Sequence, residues 1–167
     1  DGWGTDAPVA LPKMTLGEAV IADYTALRLS LRAHPMALLR RNFAAAVTAG
    51  DLKNTAPGAR IAVAGLVLAR QRPGSAKGVI FATLEDETGT ANIIVWPKIF
   101  ERFRRIVLTA RLLKVRGELQ REGIVIHLIA DHLEDCSGLL ATLAARDTGE
   151  PANAAAKLIC PRASSSP

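Results

Sequence analysis

The sequence predicts a small, mainly β barrel of five strands, with one helix between strands three and four and a short helical element ahead of the barrel. Three observations carry this. The hydrophobic period changes from helical to strand-like after Ala56-Pro57-Gly58. Pro97 opens an amphipathic helical stretch in the middle of the strand-like runs. Leu112 to Gln120 alternates strictly, with Leu113, Val115, Gly117 and Leu119 on one face and Lys114, Arg116, Glu118 and Gln120 on the other.

Taken in order, residues 1–14 read as a linker, because Gly2, Gly4, Pro8 and Pro12 interrupt any period. Residues 15–55 read as a helical element. Thr15 and Glu18 have capping-box spacing, in which hydroxyl and carboxylate satisfy the free N–H groups of a helix start, and Leu16, Ala19, Val20, Tyr24 and Leu27 follow at helical spacing. A second helical pattern follows Pro35, carries Met36, Leu39, Phe43 and Val47, and ends at Gly50.

The barrel region is 59–135. Strand one is Arg60–Arg70, apolar and β-branched on both faces, with Gly65 suited to a sharp bend. A polar loop, Gln71–Gly78, leads to strand two at Val79–Asp86, a turn at Glu87-Thr88-Gly89, and strand three at Ala91–Trp96. The helix from Pro97 carries Ile99, Phe100, Phe103, Ile106 and Val107 on one side. Strand four follows, then a tight Arg121-Glu122-Gly123 connection, then strand five from Ile124 to about Ala130. Residues 136–167 read as a mostly disordered tail, with one helical turn at Leu139–Leu143 and an Ala-, Pro- and Ser-rich end.

Three strands, a helix and two strands is the element order of the OB-fold. That fold is a partly open Greek-key barrel whose strands two and three, with loops L12 and L45, bind oligonucleotides. An unrelated small barrel with a helix is the alternative arrangement.

The chain has 167 residues, of which 49% are apolar, enough for a core without staples. Its formal charge is +5 and arginine outnumbers lysine fifteen to six, which favours polyanionic partners without choosing among DNA, RNA and acidic protein. Cys136 and Cys160 fit no metal-ligand spacing and sit where little structure is expected, which points to a reducing, cytoplasmic setting. No run of eighteen apolar residues and no signal-peptide pattern is present, so no membrane role is expected. The start at Asp1 within a linker-like stretch reads as a piece of a longer chain.

The chemistry-bearing residues point to binding. Arg70, Arg72 and Lys77 cluster at L12 beside glycines, a composition suited to a phosphate backbone and also to any solvated turn. Single strands are held by stacking as well as charge, and Phe81 and Trp96 are the aromatics on the expected face or its rim. Trp96 suits packing beside Pro97 as well as it suits stacking, and Phe81 suits packing better. Lys114, Arg116 and Arg121 are secondary phosphate candidates, equally consistent with a solvated strand face.

No catalytic or metal site is expected. Glu85-Asp86-Glu87 alternates across a strand into a turn and cannot converge on metal ions, so it reads as turn chemistry, with Asp86 bonding its own backbone. His34, His127 and His132 lack ligand spacing, and no P-loop is present.

The segment Phe81–Arg104, FATLEDETGTANIIVWPKIFERFR, resembles the OB domain of the bacterial DNA polymerase III alpha family, and more loosely the anticodon-binding domains of class II aminoacyl-tRNA synthetases. Leu29–Arg40 (LSLRAHPMALLR), Val67–Gly78 (VLARQRPGSAKG) and Val125–Asp135 (VIHLIADHLED) resemble the error-prone branch of that family. The resemblance implies a parent that is a DNA-directed DNA polymerase acting in damage-induced mutagenesis, DNA repair and translesion synthesis. It also implies an OB module near the C-terminus that contacts single-stranded DNA template. Catalytic carboxylates and the divalent metal, Mg by implication, would belong to the parent before Asp1, with no cofactor in this segment. Accessory mutagenesis proteins are implied partners. No Gln-x-x-Leu-Phe-like motif is present, so contact with the sliding clamp would be indirect. The competing expectations are an RNA-binding module of anticodon type and a protein-docking OB domain.

Overall fold

The computed structural model describes residues 33–147. The expected linker, the helix from Thr15, Cys160 and the end of the tail lie outside the described residues. The chain enters through α1 (Pro35–Leu39) and two 3₁₀ segments, Arg40–Phe43 and Ala49–Asn54. Pro35 starts α1 because its fixed φ suits a first turn, and the His34 Nδ1 accepts the Met36 N–H at 3.1 Å.

The barrel follows as β1 (Arg60–Gln71), β2 (Ile80–Asp86), β3 (Gly89–Val95), α2 (Pro97–Thr109), β4 (Leu112–Glu122) and β5 (Val125–Asp135). The strands close in the order β1-β2-β3-β5-β4, with β4 returning to β1 and only β3 and β5 parallel. This is the five-stranded OB barrel that the element order predicts.

One long strand serves both halves of the barrel. Arg60–Leu66 pairs with β4, Leu66–Gln71 pairs with β2, and a register shift between Val67 and Ala69 turns the strand from one partner to the other. Gly65 sits at this changeover. A Cβ there would lie 2.8 Å from the Glu85 carbonyl oxygen, so the crossing requires glycine.

Alternation decides what fills the barrel. Val63, Val67, Leu84, Ile93, Val95, Leu113, Val115, Leu119, Leu128 and Leu133 point inward and are buried. Helix α2 closes one end with Phe100 and Val107, while Ile99, Phe103 and Ile106 pack at the edge of this core. Phe103 departs from helical geometry (φ −114°, ψ 23°), and its ring meets His132 edge-on at 5.1 Å.

A second core lies outside the barrel, and the tail reading is corrected by it. Residues Gly138–Asp147 form a helix, α3, whose Leu139, Leu140 and Leu143 bury against Met36, Leu39, Phe43, Ala64, Leu66 and Leu112. A ten-residue helix is marginal alone. Three buried leucines, each contributing about 1.5–3 kcal/mol, supply the missing stability. Cys136 belongs to this core and is buried, contrary to the expectation of little structure around it.

Candidate nucleic-acid interface

The carboxylate run at the β2–β3 turn behaves as a structural hub. Asp86 is 4% exposed, and its Oδ1 accepts hydrogen bonds from Thr88 N (2.8 Å), Thr88 Oγ1 (2.6 Å) and Gly89 N (3.1 Å). Its Oδ2 accepts from Ala49 N (2.7 Å) and Arg40 Nη2 (3.2 Å). Glu87 takes the same guanidinium in a fork, Nε to Oε1 and Nη2 to Oε2, both at 2.6 Å. Burial pushes the Asp86 pKa up, but the donors from Thr88, Ala49 and Arg40 outweigh it and hold the carboxyl below its ordinary value. The Arg40 hydrogen bond likewise lowers Glu87. The bonds from Thr88 and Gly89 close the β2–β3 turn, and those from Ala49 and Arg40 tie the helical element to the barrel. Among the described residues no group of three or more His, Cys, Asp or Glu side chains could hold a metal ion.

The open face lies on the other side of the sheet. A groove of about 510 Å³ runs between the β1–β2 loop and the end of the β4–β5 hairpin. Phe81 of β2, Ile94 of β3 and Ile129 of β5 stand side by side on it, because Phe81 pairs with Ile94 and Ile94 pairs with Ile129. Lys77 and Ser75 reach it from the β1–β2 loop, and Gln120 and Glu122 from the hairpin. Lys77 is held in the left-handed conformation at φ 49°, uncommon for any residue but glycine. His127 completes the floor, its Nδ1 buried and without a hydrogen-bond partner among the described residues.

Trp96 stands at the rim as the residue before α2 and is 50% exposed. Its backbone carbonyl receives the Phe100 N–H at 2.8 Å, which anchors the backbone and leaves much of the indole in solvent.

Of the residues singled out from sequence, the structure brings Lys77, Phe81 and Trp96 together in this groove. Arg72 lies beside it, with its guanidinium over the Phe100 ring at 5.4 Å. Arg70 is placed elsewhere. Strand β1 runs on to Gln71, so Arg70 is a half-buried strand residue whose Nε donates to the Val107 carbonyl at 2.5 Å and whose Nη2 donates to that of Ala110. It satisfies carbonyls that the end of α2 leaves open. Burial lowers its pKa, an effect that the Asp135 charge partly offsets.

Lys114 faces Glu134 across β4 and β5 at 3.5 Å, and Arg116 is exposed on β4 between Ala62 and His132. Arg121 donates to the carbonyls of Lys53 (2.7 Å) and Thr55 (3.4 Å). None of these three lines the groove. Ile94, His127 and Ile129 were missed by sequence reasoning. Only the parallel β3–β5 pairing sets them beside Phe81, and nothing local in the sequence signals it.

A family described as "OB-fold nucleic acid binding domain" matches residues 61–135. The chain is 54% identical over 159 residues, 95% of its length, to an error-prone DNA polymerase of Ruegeria pomeroyi. It is 57% identical over 150 residues, 86% of its length, to error-prone DNA polymerase 1 of Rhizobium meliloti. Over most of its length the chain is therefore similar to one segment of error-prone DNA polymerases. It spans 14% and 13% of the length of those two relatives. Among solved structures, asparaginyl-tRNA synthetase from Pyrococcus horikoshii aligns with 55% of this chain and 23% of its own at 21% identity, with a TM-score of 0.47.

The groove offers an apolar floor, one exposed indole and few charges. Lys77 is the single cation and Glu122 the single carboxylate among the residues that line it. Such a surface suits the flat face of a base better than a run of phosphates.

Proposed function

We propose that this chain is the single-stranded template-binding module of an error-prone DNA polymerase. The observation that carries the reading is the half-exposed Trp96, which lines one groove with Phe81, Ile94, Ile129 and Lys77. A base stacked on an aromatic side chain contributes about 1–3 kcal/mol, and the contact is sequence-tolerant because every base has a π-face. Tolerance of this kind fits a module that must accept any template sequence, damaged bases included. Lys77 supplies one phosphate contact, so affinity should depend less on salt than a loop of three cations would make it.

In this reading the whole protein is a DNA polymerase, as the relatives are named, and it would carry out template-directed DNA synthesis in the cytoplasm after damage. Polymerisation, its divalent cation and any accessory mutagenesis proteins or clamp contacts belong to parts of that protein other than this barrel.

The test is fluorescence anisotropy of the 167-residue chain with a labelled oligothymidylate, beside an RNA of the same sequence. Binding that falls roughly 5- to 150-fold in Trp96→Ala supports the proposal, a range that corresponds to about 1–3 kcal/mol. Failure to bind single-stranded DNA at low salt refutes it, and a strong preference for the RNA replaces DNA template with RNA as the ligand.

A further inference from the structure

Two arginines converge on one buried ring just beyond the groove. The Arg72 guanidinium carbon lies 5.4 Å from the Phe100 centroid and that of Arg104 lies 5.6 Å from it. Phe100 is 5% exposed and belongs to the barrel core, whereas both arginines are exposed, so both reach the ring from the solvent side. Arg72 comes from the β1–β2 loop, directly after β1, and Arg104 from the middle of α2. The ring face attracts each cation and fixes where it sits. Among the described residues neither guanidinium has a carboxylate within salt-bridge distance, and Glu101, the one acid of α2, pairs with neither. Two cations therefore rest on one ring with no carboxylate among the described residues to pair with either.

The pair adjoins the groove. The point where a Gly78 side chain would begin is 3.5 Å from both Arg72 Nη2 and Pro97 Cγ, and Pro97 lines the groove next to Trp96. A strand that stacks on Trp96 and continues past Pro97 meets the two guanidiniums next. Guanidinium forks match the oxygens of a phosphodiester and gain from its charge.

We infer that Arg72 and Arg104, both seated on Phe100, form a phosphodiester subsite at the Pro97 end of the groove. The bound strand then runs from the β4–β5 hairpin across Trp96 and onto the start of α2. The inference rests on the single-strand reading above, and it adds a charge contact beyond the one that Lys77 supplies.

The experiment uses the 167-residue chain and labelled oligothymidylates, with affinity measured across a salt series. Arg104→Ala should weaken binding several-fold and reduce the slope of log K against log salt by about 0.7, the value for one phosphate of a single strand. Arg104→Lys should keep the slope, because the charge remains. Oligonucleotides carrying one neutral methylphosphonate at successive positions should reveal one linkage whose neutralisation weakens the wild-type chain and leaves Arg104→Ala unaffected. Arg104 is exposed, so circular dichroism and melting should match wild type.

Unchanged slope and affinity in both Arg72→Ala and Arg104→Ala, while Trp96→Ala still weakens binding, would overturn the subsite and leave the groove reading intact. A wild-type chain that binds no oligonucleotide sinks both. Inorganic phosphate shifting the Arg72 and Arg104 side-chain resonances without oligonucleotide binding would assign the pair to a free anion and overturn the phosphodiester assignment.

Discussion

Asp86→Asn is predicted to be the most damaging conservative change in the barrel. The carboxylate accepts five hydrogen bonds, three at Oδ1 from Thr88 and Gly89 and two at Oδ2 from Ala49 and Arg40. Asparagine keeps one acceptor and turns the other into a donor. If the amide oxygen stays toward Thr88, its NH₂ group faces the Ala49 N–H and the Arg40 guanidinium, so the Ala49 N–H loses its acceptor and Arg40 keeps only Glu87. A hydrogen bond to a charged group contributes about 1.5–3 kcal/mol, and breaking one side of a buried ion pair costs about 3–5 kcal/mol. The side chain is 2% exposed, so water cannot repair the mismatch. The expected loss is about 3–5 kcal/mol, a large share of the ~5–15 kcal/mol that holds an ordinary domain together. Urea unfolding at pH 7, followed by circular dichroism, would show the midpoint falling. A loss below about 1 kcal/mol would refute the hub, since that is the size of a single ordinary hydrogen bond.

Further predictions concern acid, packing and the rim. Asp86 and Glu87 have folded-state pKa values below their ordinary 3.8 and 4.5, so their contribution is complete above those values and is lost as pH falls through the lower folded values. The urea midpoint should therefore drop steeply between about pH 5 and 2 in wild type and less steeply in Asp86→Asn. Arg70→Ala should cost about 1–3 kcal/mol by orphaning the Val107 and Ala110 carbonyls, with oligonucleotide affinity unchanged. Reduced affinity at full stability would return Arg70 to the binding site. Gly65→Ala should cost about 1–3 kcal/mol because the new methyl meets the Glu85 backbone. An unchanged midpoint would show that β1 and β2 can separate freely there.

The order of elements was legible because the signals are local. Pro97 marks the helix start, the Glu87-Thr88-Gly89 turn separates two strands, and alternation through Leu119 marks the inner face of β4. Strand ends were less legible. β5 runs to Asp135 instead of stopping near Ala130, because Asp131 is an extra residue opposite the Arg116–Gly117 step and breaks the alternation. α3 was read as one turn because its partners, Met36, Ala64 and Leu112, are distant in sequence.

The site was legible only in part, for the same reason. Lys77, Phe81 and Trp96 could be found from their positions on an OB scaffold. Arg70 misled because composition places a cation near a loop without saying which way it turns, and the strand continued one residue past it. The pairing of Arg72 with Arg104 joins residues thirty-two positions apart through a shared ring, so no spacing rule could suggest it.

Single-stranded DNA is expected to lie in the groove between the β1–β2 loop and the β4–β5 hairpin. Amide and indole resonances of the isotope-labelled chain, followed during titration with an oligothymidylate, test it most directly. Shifts should concentrate at Lys77, Phe81, Ile94, Trp96, His127 and Ile129. Shifts confined to Lys114 and Arg116 on the outer face of β4, with the Trp96 indole unmoved, would contradict it.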